Sequence, residues 1–113
     1  MNPITSLQDW ASGKASVGKT RSSKWGSVRK EHLNLHPECA CCGGKKNLNV
    51  HHKMPFHLAP ELELEPLNLI TLCEGGNNVN CHLVMGHLMN FKSYNQDVDF
   101  DVARWRKKIA ERP

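Results

Sequence analysis

The spacing of apolar positions separates a polar beginning of the chain from a series of short elements. Residues 1–22 are rich in Ser, Gly, Lys and Thr and poor in apolar side chains, which predicts a flexible basic arm. In residues 23–35, apolar side chains recur among charged ones and Pro37 follows, so we expect a short helix that ends before this proline. Residues 23–113 together are expected to form one domain.

Two strands and two further helices are predicted in that domain. Residues 48–53 and 68–72 have the length and composition of short strands, and three prolines between them exclude a regular element there. A helix is expected from residue 81 to about residue 91. A last helix is expected to end at about residue 111; its predicted cap is Asp99 or Asp101, and its predicted apolar face contains Val102, Trp105 and Ile109.

The size and composition of the chain leave little room for a hydrophobic core. Of its 113 residues, 39% are hydrophobic and 6% are aromatic, so burial alone gives thin stability and an additional cross-link is expected. No apolar stretch approaches the roughly 18 residues of a membrane helix, and residues 1–12 lack the apolar stretch of a secretory signal. These features predict a cytoplasmic protein that has no membrane partner.

Basic residues are concentrated towards the two ends of the chain. Fifteen Lys and Arg against eleven Asp and Glu give a net charge of +4, and no acid occurs between Asp9 and Glu31. Basic clusters suit a polyanion such as nucleic acid, but a solvated arm and an ordinary charged helix explain them equally well. The clustered residues are Lys14, Lys19, Arg21, Lys24, Arg29 and Lys30, and later Arg104, Arg106, Lys107 and Lys108.

Five cysteines lie in the middle of the chain, an odd number that fits a disulfide framework poorly. A Cys-x-x-Cys pair followed by a second pair is typical of tetrahedral zinc, whose ligands here would be Cys39, Cys42, Cys73 and Cys81. Cys41 is then a spare thiol, or it replaces a neighbour as ligand. Bound zinc contributes roughly 10 kcal/mol or more to folding, which would supply the expected cross-link. Buried or redox-active thiols are the alternative.

Adjacent histidines in the first predicted strand offer two different chemical roles. Successive strand residues point to opposite faces, so only one of His51 and His52 can enter a given site. In a metal-dependent phosphodiesterase, one histidine holds the ion and its neighbour removes a proton from the attacking water. An isolated pair is more often a pair of surface or core side chains, but Asn68 and a Cys81-His82 pair accompany this one.

These pieces together resemble the HNH endonucleases that carry four zinc cysteines. The order and approximate spacing agree between residues 25 and 87, and the specificity lies in the joint occurrence of the motifs. The resemblance implies an α+β protein with a small ββα-metal core, flanking helices and a structural zinc, which hydrolyses phosphodiester bonds in DNA. The motifs are Trp25-x-x-Val28-Arg29, Pro37-x-Cys39-x-x-Cys42-Gly43, Asn49-Val50-His51-His52-Lys53-x-Pro55, Asn68-Leu69-x-x-Leu72-Cys73 and Cys81-His82.

The resemblance also implies roles for individual side chains. His51 and His82 correspond to ligands of a catalytic divalent ion, and such sites accept Mg²⁺, Mn²⁺, Ni²⁺ or Zn²⁺. His52 corresponds to the general base, and Asn68 to the residue that orients this base directly or through the loop between the strands. His87 lies five residues after His82, which turns it by about 140° on a regular helix, so it joins the site only where the helix is distorted or starts late.

Gly86 would permit that distortion, and His57 is a weaker candidate for the same site. Two other functions fit parts of the pattern. A zinc-stabilised module that binds nucleic acid without cleaving it would use the same cysteines but leaves the histidines without a role. A thiol redox or metal-sensing protein would use Cys41 as its reactive group. For the nuclease the expected partner is DNA, and the sequence is compatible with a monomer or a homodimer.

Overall fold

The structure of the protein, a computed structural model, describes residues 20–75 and 79–113. It is a small mixed α/β domain, as predicted, and both strands begin and end within one residue of their predicted limits. Across the described residues, no helix combines the length and the apolar composition needed to cross a lipid bilayer. The main elements in chain order are α1 (Trp25–Leu35), β1 (Leu48–His52), β2 (Leu69–Cys73), a π-helical turn (His82–Gly86) and α2 (Val98–Ala110).

The two strands form an antiparallel pair whose faces contact different elements. His51 lies opposite Ile70, and His52 lies opposite Leu69. Because side chains alternate along a strand, His51 and Ile70 share one face of the sheet and His52 and Leu69 share the other. The ring of Trp25 in α1 lies 4.5 Å from the ring of His52, whereas the π-helical turn contacts the face that carries His51. The sheet therefore separates the two adjacent histidines.

Cysteines make up half of the buried core. The main cluster of buried residues contains four aliphatic side chains and four cysteines, and Leu72 at its centre has no exposed surface. Such a core buries little aliphatic area, as the composition predicts. Its members are Ile70, Leu72, Val98 and Val102 together with Cys39, Cys41, Cys73 and Cys81.

Residues 81–91 differ from the regular helix predicted for them. The helical segment is a single π-helical turn of five residues, in which the N–H of His87 donates to the carbonyl of His82 at 3.1 Å. Leu88 and Met89 follow with φ angles of 53° and 73°. The prediction of a longer α-helix is wrong because these two left-handed residues cannot continue a right-handed helix.

α2 begins earlier than predicted, and only the beginning of its apolar face is buried. Its first residue is Val98, so Asp99 and Asp101 lie inside the first turn instead of capping it. Val98 and Val102 are 2% and 4% exposed, whereas Trp105 is 47% exposed. Spacings of four and three residues place these three side chains on one face of the helix, as predicted. The predicted burial of that face is correct at Val102 and wrong at Trp105, which lies outside the core.

Arg106 attaches α2 to the segment that contains the first cysteine pair. Its guanidinium donates to Glu38 at 2.7 Å and to the carbonyl of Cys39 at 3.2 Å. The guanidinium also lies over Gly43, whose φ of 80° favours glycine and where a Cβ would lie 3.3 Å from the Arg106 side chain. The last helix thus supports the turn on which two of the candidate zinc ligands lie.

Most of the predicted arm lies outside the described residues, but its last two residues contact the domain. The N–H of Ser22 donates to Oε1 of Glu63 at 3.0 Å, and the Arg21 guanidinium lies 3.6 Å from Oε2. Arg21 also lies over the ring of Phe56, 4.5 Å from its centroid. The arm is therefore attached beside Glu63, on the same side of the sheet as His52.

Candidate metal centres

Four cysteines from two distant segments converge on one point. One ligand atom from each of Cys39, Cys42, Cys73 and Cys81 lies within 4.8 Å of the others, and we refer to this group as the cysteine cluster. The backbone N–H groups of Cys42 and Gly44 point at the sulfurs of Cys39 and Cys42, at 3.5 and 3.4 Å. Such N–H groups stabilise thiolates, so the cluster has the donor set and local geometry of a structural metal site such as zinc.

Thiols of the cysteine cluster form hydrogen bonds with one another, which changes their pKa values. A hydrogen bond from Cys81 lowers the pKa of Cys39 to about 4, and the same interaction raises the pKa of Cys81. The contacts within the cluster therefore favour the thiolate form of Cys39. Since thiolates are the form that binds a metal, this arrangement favours the predicted zinc site.

Cys41 is buried against the cysteine cluster instead of pointing away from it. It has no exposed surface, and a hydrogen bond with Cys81 lowers its pKa. Reactive cysteines are partly exposed, because an oxidant or a second thiol must reach the sulfur. The burial of Cys41 therefore does not fit the thiol redox function considered as an alternative.

Three histidines, one from β1 and two from the π-helical turn and the residue after it, form a second group. One ring nitrogen from each of His51, His82 and His87 lies within 4.8 Å of the others, and we refer to them as the imidazole cluster. Nδ1 of His51 is 3.0 Å from Nε2 of His82, which in turn is 3.1 Å from Nε2 of His87. The cluster includes both histidines that the resemblance assigns to the metal and also His87, but among the described residues it does not include His57.

The π-helical turn explains how His87 reaches the imidazole cluster. On a regular α-helix a spacing of five residues separates the side chains, but in this turn the hydrogen bond runs from residue 87 to residue 82 and brings them together. Gly86 provides the space, because a Cβ at this position would lie 3.0 to 3.2 Å from ring atoms of His51. The distortion permitted by Gly86 is thus present, and it is π-helical.

Hydrogen bonds at the back of two rings direct their lone pairs into the cluster. Nδ1 of His82 donates to the carboxylate of Glu74 at 2.7 Å, and Nδ1 of His87 donates to the carbonyl of Ser93 at 2.7 Å. Because these acceptors require a proton on Nδ1, the Nε2 atom of each neutral ring carries a lone pair. Together with the nearby ring of His51, these two nitrogens form a donor set that could hold a metal ion.

Burial keeps His51 in the form that binds metals. His51 is 2% exposed. Its pKa is lowered to about 3, mainly by desolvation and to a smaller extent by the nearby His82 and His87. Its Nε2 is also buried and has no hydrogen-bond partner within the described part of the chain. Desolvation likewise lowers the pKa of His87. Neutral imidazoles are the ligands of divalent ions, so the cluster fits such an ion.

His52 lies on the opposite face of β1 and makes a different contact. Its Nε2 is 2.9 Å from the carbonyl oxygen of Glu63, which can only accept, so Nε2 carries the proton and Nδ1 carries the lone pair. Desolvation lowers the pKa of His52, which favours the neutral ring. The ring of Trp25, tilted against it at 38°, restricts its orientation.

Asn68 contacts the loop between the strands. Its side chain accepts from the N–H of Met54 at 2.8 Å and donates to the carbonyls of Met54 and Leu62, both at 3.1 Å. Leu62 precedes Glu63, whose carbonyl binds His52. Among the two routes considered for Asn68, these contacts correspond to the one through the loop.

Sequence analysis did not identify the two carboxylates beside these histidines. Glu63 is only 4% exposed, and Glu74 accepts a hydrogen bond from His82. Their positions give a signal in retrospect, since Glu74 directly follows Cys73 and Glu63 lies between two leucines. Lys53, which directly follows His52, forms an ion pair with Asp99 at 3.0 Å.

The cysteine and imidazole clusters are joined directly along the chain. Cys73 immediately precedes Glu74, and Cys81 immediately precedes His82. The 2.7 Å hydrogen bond between Glu74 and His82 connects these two segments at the imidazole cluster, while the two cysteines connect them at the cysteine cluster. The same pair of segments therefore contributes to both.

Replacing Glu74 by alanine is expected to weaken divalent-ion binding by about 10- to 100-fold, the usual effect of removing a carboxylate behind a ligating histidine. The reason is that His82 would lose the acceptor that fixes its tautomer and ring orientation. Calorimetric titration of zinc-loaded protein with Ni²⁺ measures the affinity. Glu61→Ala removes an exposed carboxylate and is the control. Equal Ni²⁺ affinity in the Glu74 variant and the wild type would contradict this role.

A comparison of the chain with protein-family models, curated proteins and solved structures finds no match.

Proposed function

We propose that the protein is a metal-dependent endonuclease of the HNH type, with a ββα-metal core, which hydrolyses phosphodiester bonds in DNA. The observation that carries the proposal is that His51 and His52, although adjacent, have different environments. One ring belongs to a cluster of three imidazoles, and the other has a proton fixed on Nε2 and a lone pair on Nδ1. Metal-assisted hydrolysis requires an ion site and an oriented base that serve one phosphate, and here consecutive residues of β1 would provide the two.

The imidazole cluster would hold the catalytic ion, with His51, His82 and His87 as its ligands. A divalent ion bound there would supply stabilisation of the negative charge that develops on the phosphate and on the leaving oxygen. Glu74 and Ser93 hold two of the three rings in the ligating orientation. Mg²⁺, Mn²⁺, Ni²⁺ and Zn²⁺ are the candidate ions.

His52 would act as the general base. Its Nδ1 takes a proton from water, the water oxygen forms a bond to phosphorus, and the bond between phosphorus and the 3′ oxygen breaks. The Glu63 carbonyl keeps the other proton on Nε2, and Trp25 restricts the ring, so the lone pair is held in one direction. Asn68 supports this geometry by fixing the loop that carries Glu63.

DNA is the proposed partner because the chain places a cation close to the base. The positive charge of Arg21 lies near enough to His52 to contribute to the lowering of its pKa, and the Arg21 side chain is 52% exposed. The arm that precedes Arg21 contains no acid after Asp9 and carries Lys14 and Lys19. Contacts of this kind reach phosphates and carry little sequence information, so binding should weaken steeply with salt.

A supercoiled-plasmid assay tests the proposal. Wild-type protein is incubated with plasmid in Mg²⁺, Mn²⁺, Ni²⁺ or Zn²⁺, and relaxed and linear products are separated on a gel. We expect conversion in at least one ion and none after addition of a chelator that leaves the structural zinc in place. Binding of DNA without cleavage in every ion would overturn the nuclease and support the zinc-stabilised binding module, for which the cysteine cluster alone is sufficient.

A further inference from the structure

Three large apolar side chains are exposed beside the imidazole cluster. Leu88, Met89 and Phe91 are 52%, 68% and 51% exposed, and we refer to them as the apolar edge. They occupy three of the four positions directly after His87, and Asn90 occupies the remaining one. None of them belongs to the main buried cluster, and the proposed reaction uses none of them. Their exposure next to a polar site is therefore a feature that folding does not explain.

Phe91 lies one ring away from the candidate ion site. Its centroid is 5.0 Å from the ring of His87 and 5.8 Å from the ring of His82. Those contacts hold the ring on one side, while half of its surface remains open to solvent. The phenyl ring is thus held at a defined place without being covered, which is the property of a stacking surface and not of a core residue.

The backbone of the apolar edge is strained and held in place. Leu88 and Met89 both have positive φ angles, a conformation that bulky side chains rarely adopt. The N–H of Met89 donates to the backbone carbonyl of Leu83 at 2.9 Å, and the N–H of Asn90 donates to the backbone carbonyl of His87 at 3.0 Å. Strain of this kind persists where the surrounding contacts impose it, and it is concentrated at functional sites. The backbone contacts of the segment therefore hold its apolar side chains in an exposed position.

We propose that Phe91 stacks against a nucleobase that has left its helical stack beside the scissile phosphate. This inference rests on the proposed nuclease function and specifies its substrate class, namely DNA in which the nucleotide next to the cleaved bond is unpaired. A base is one sugar away from its phosphate, so a ring in contact with the ligands of the ion lies where such a base would be. Bases in an intact duplex are covered by their neighbours, whereas unpaired bases stack readily on aromatic side chains.

The composition of the apolar edge favours a base over a protein partner. Its surroundings contribute amide and amino groups, Asn90 and Lys92, which are exposed and suited to a sugar–phosphate chain. Any occupant must also leave the imidazole cluster open to a phosphate group. A nucleotide meets both conditions with one molecule, because its phosphate reaches the cluster while its base covers Phe91.

The test compares cleavage of a single-stranded oligonucleotide with cleavage of the same sequence in a duplex. Wild-type protein is expected to cleave the single strand faster. Phe91→Ala should lower kcat/KM on the single strand by roughly 5- to 150-fold, the factor corresponding to one base stacked on an aromatic side chain. Phe91→Trp keeps a stacking surface and should retain the wild-type preference. Equal kcat/KM for wild type and Phe91→Ala on the single strand would overturn the proposal.

Two controls separate stacking from damage to the ion site. Phe100→Ala removes a comparably exposed phenylalanine, 60% exposed on α2, and should leave both substrates unaffected. The Ni²⁺ affinity of zinc-loaded Phe91→Ala should equal that of the wild type. A lower affinity would attribute the loss of cleavage to the metal ligands. The fluorescence of a bound single strand containing 2-aminopurine, measured without the second ion, would then decide whether Phe91 stacks on a base.

A binding measurement without catalysis distinguishes failure of the stacking proposal from failure of the nuclease. A single strand containing 2-aminopurine is titrated with zinc-loaded protein that has no second ion. Stacking on Phe91 should change the fluorescence, and Phe91→Ala should abolish the change while Phe91→Trp retains it. The same change in wild type and Phe91→Ala would overturn the stacking site. A Phe91-dependent change together with inactivity in all ions would retain the base site and overturn the nuclease.

Discussion

Replacing His52 by glutamine is expected to lower the rate of DNA cleavage by about 10²- to 10⁴-fold, the usual contribution of a general base. Glutamine is the informative replacement because its side-chain amide can still donate to the Glu63 carbonyl, as Nε2 of His52 does, but it has no basic nitrogen. The imidazole cluster on the opposite face of β1 is left intact. Initial rates are measured from relaxed product in the supercoiled-plasmid assay.

The control for this experiment is a histidine outside the site. His36 is exposed at the end of α1, and His36→Ala is expected to stay within about twofold of the wild-type rate, as for most surface changes. Zinc content and melting temperature of both variants are measured alongside. Wild-type cleavage by the folded, zinc-loaded glutamine variant would remove His52 from the mechanism, whereas partial recovery of His52→Ala by added imidazole would support it.

Loss of zinc from the cysteine cluster is expected to unfold the domain. A structural zinc contributes roughly 10 kcal/mol or more, while small domains have net stabilities of only about 5 to 15 kcal/mol. Four of the eight buried residues in the main cluster are cysteines, so the remaining aliphatic side chains cannot compensate. Cys73→Ser should therefore abolish stoichiometric zinc binding and the cooperative thermal transition, which a zinc-release assay and circular dichroism measure.

Cys41→Ala is the matched control, because Cys41 is equally buried but is not one of the four converging ligands. It is expected to keep one zinc per chain and to unfold cooperatively, at a lower temperature because of the lost side-chain packing. Retention of zinc and of the melting transition by Cys73→Ser would contradict the structural role of the cluster. Loss of zinc from the Cys41 variant alone would instead identify Cys41 as the ligand.

The strands and the cysteine cluster are predictable from the sequence because each depends on residue type, spacing and alternation, whereas the imidazole cluster is expected only through the resemblance to the HNH endonucleases. A Cys-x-x-Cys turn and a later cysteine pair can share one ion in few ways, and alternation along β1 places His51 and His52 on opposite faces whatever the surrounding loops do. For these features, local chemistry and chain order carry nearly all the necessary information.

The π-helical turn and the extent to which the apolar face of α2 is buried depend on tertiary contacts that local spacing does not describe. A five-residue interval predicts separation on an α-helix, whereas in the fold Gly86 packs against His51 within a wider turn. Along the apolar face of α2, the core covers Val98 and Val102 but leaves Trp105 exposed. Glu63 was missed for the same reason, since its burial follows from Ser22 and Arg21, which are distant in sequence.

The two peptide bonds that link Cys73 to Glu74 and Cys81 to His82 have a consequence for how the protein matures. A ligand of the cysteine cluster and a residue of the imidazole cluster or its support lie side by side in each of the same two short stretches, so zinc bound by the cysteines would also hold Glu74 and His82 in place. Newly made chains would then bind zinc at the thiolates before the imidazoles are fully arranged for another ion. For the proposed nuclease, activity in a cell would depend on zinc supply even where the reaction itself uses a different metal.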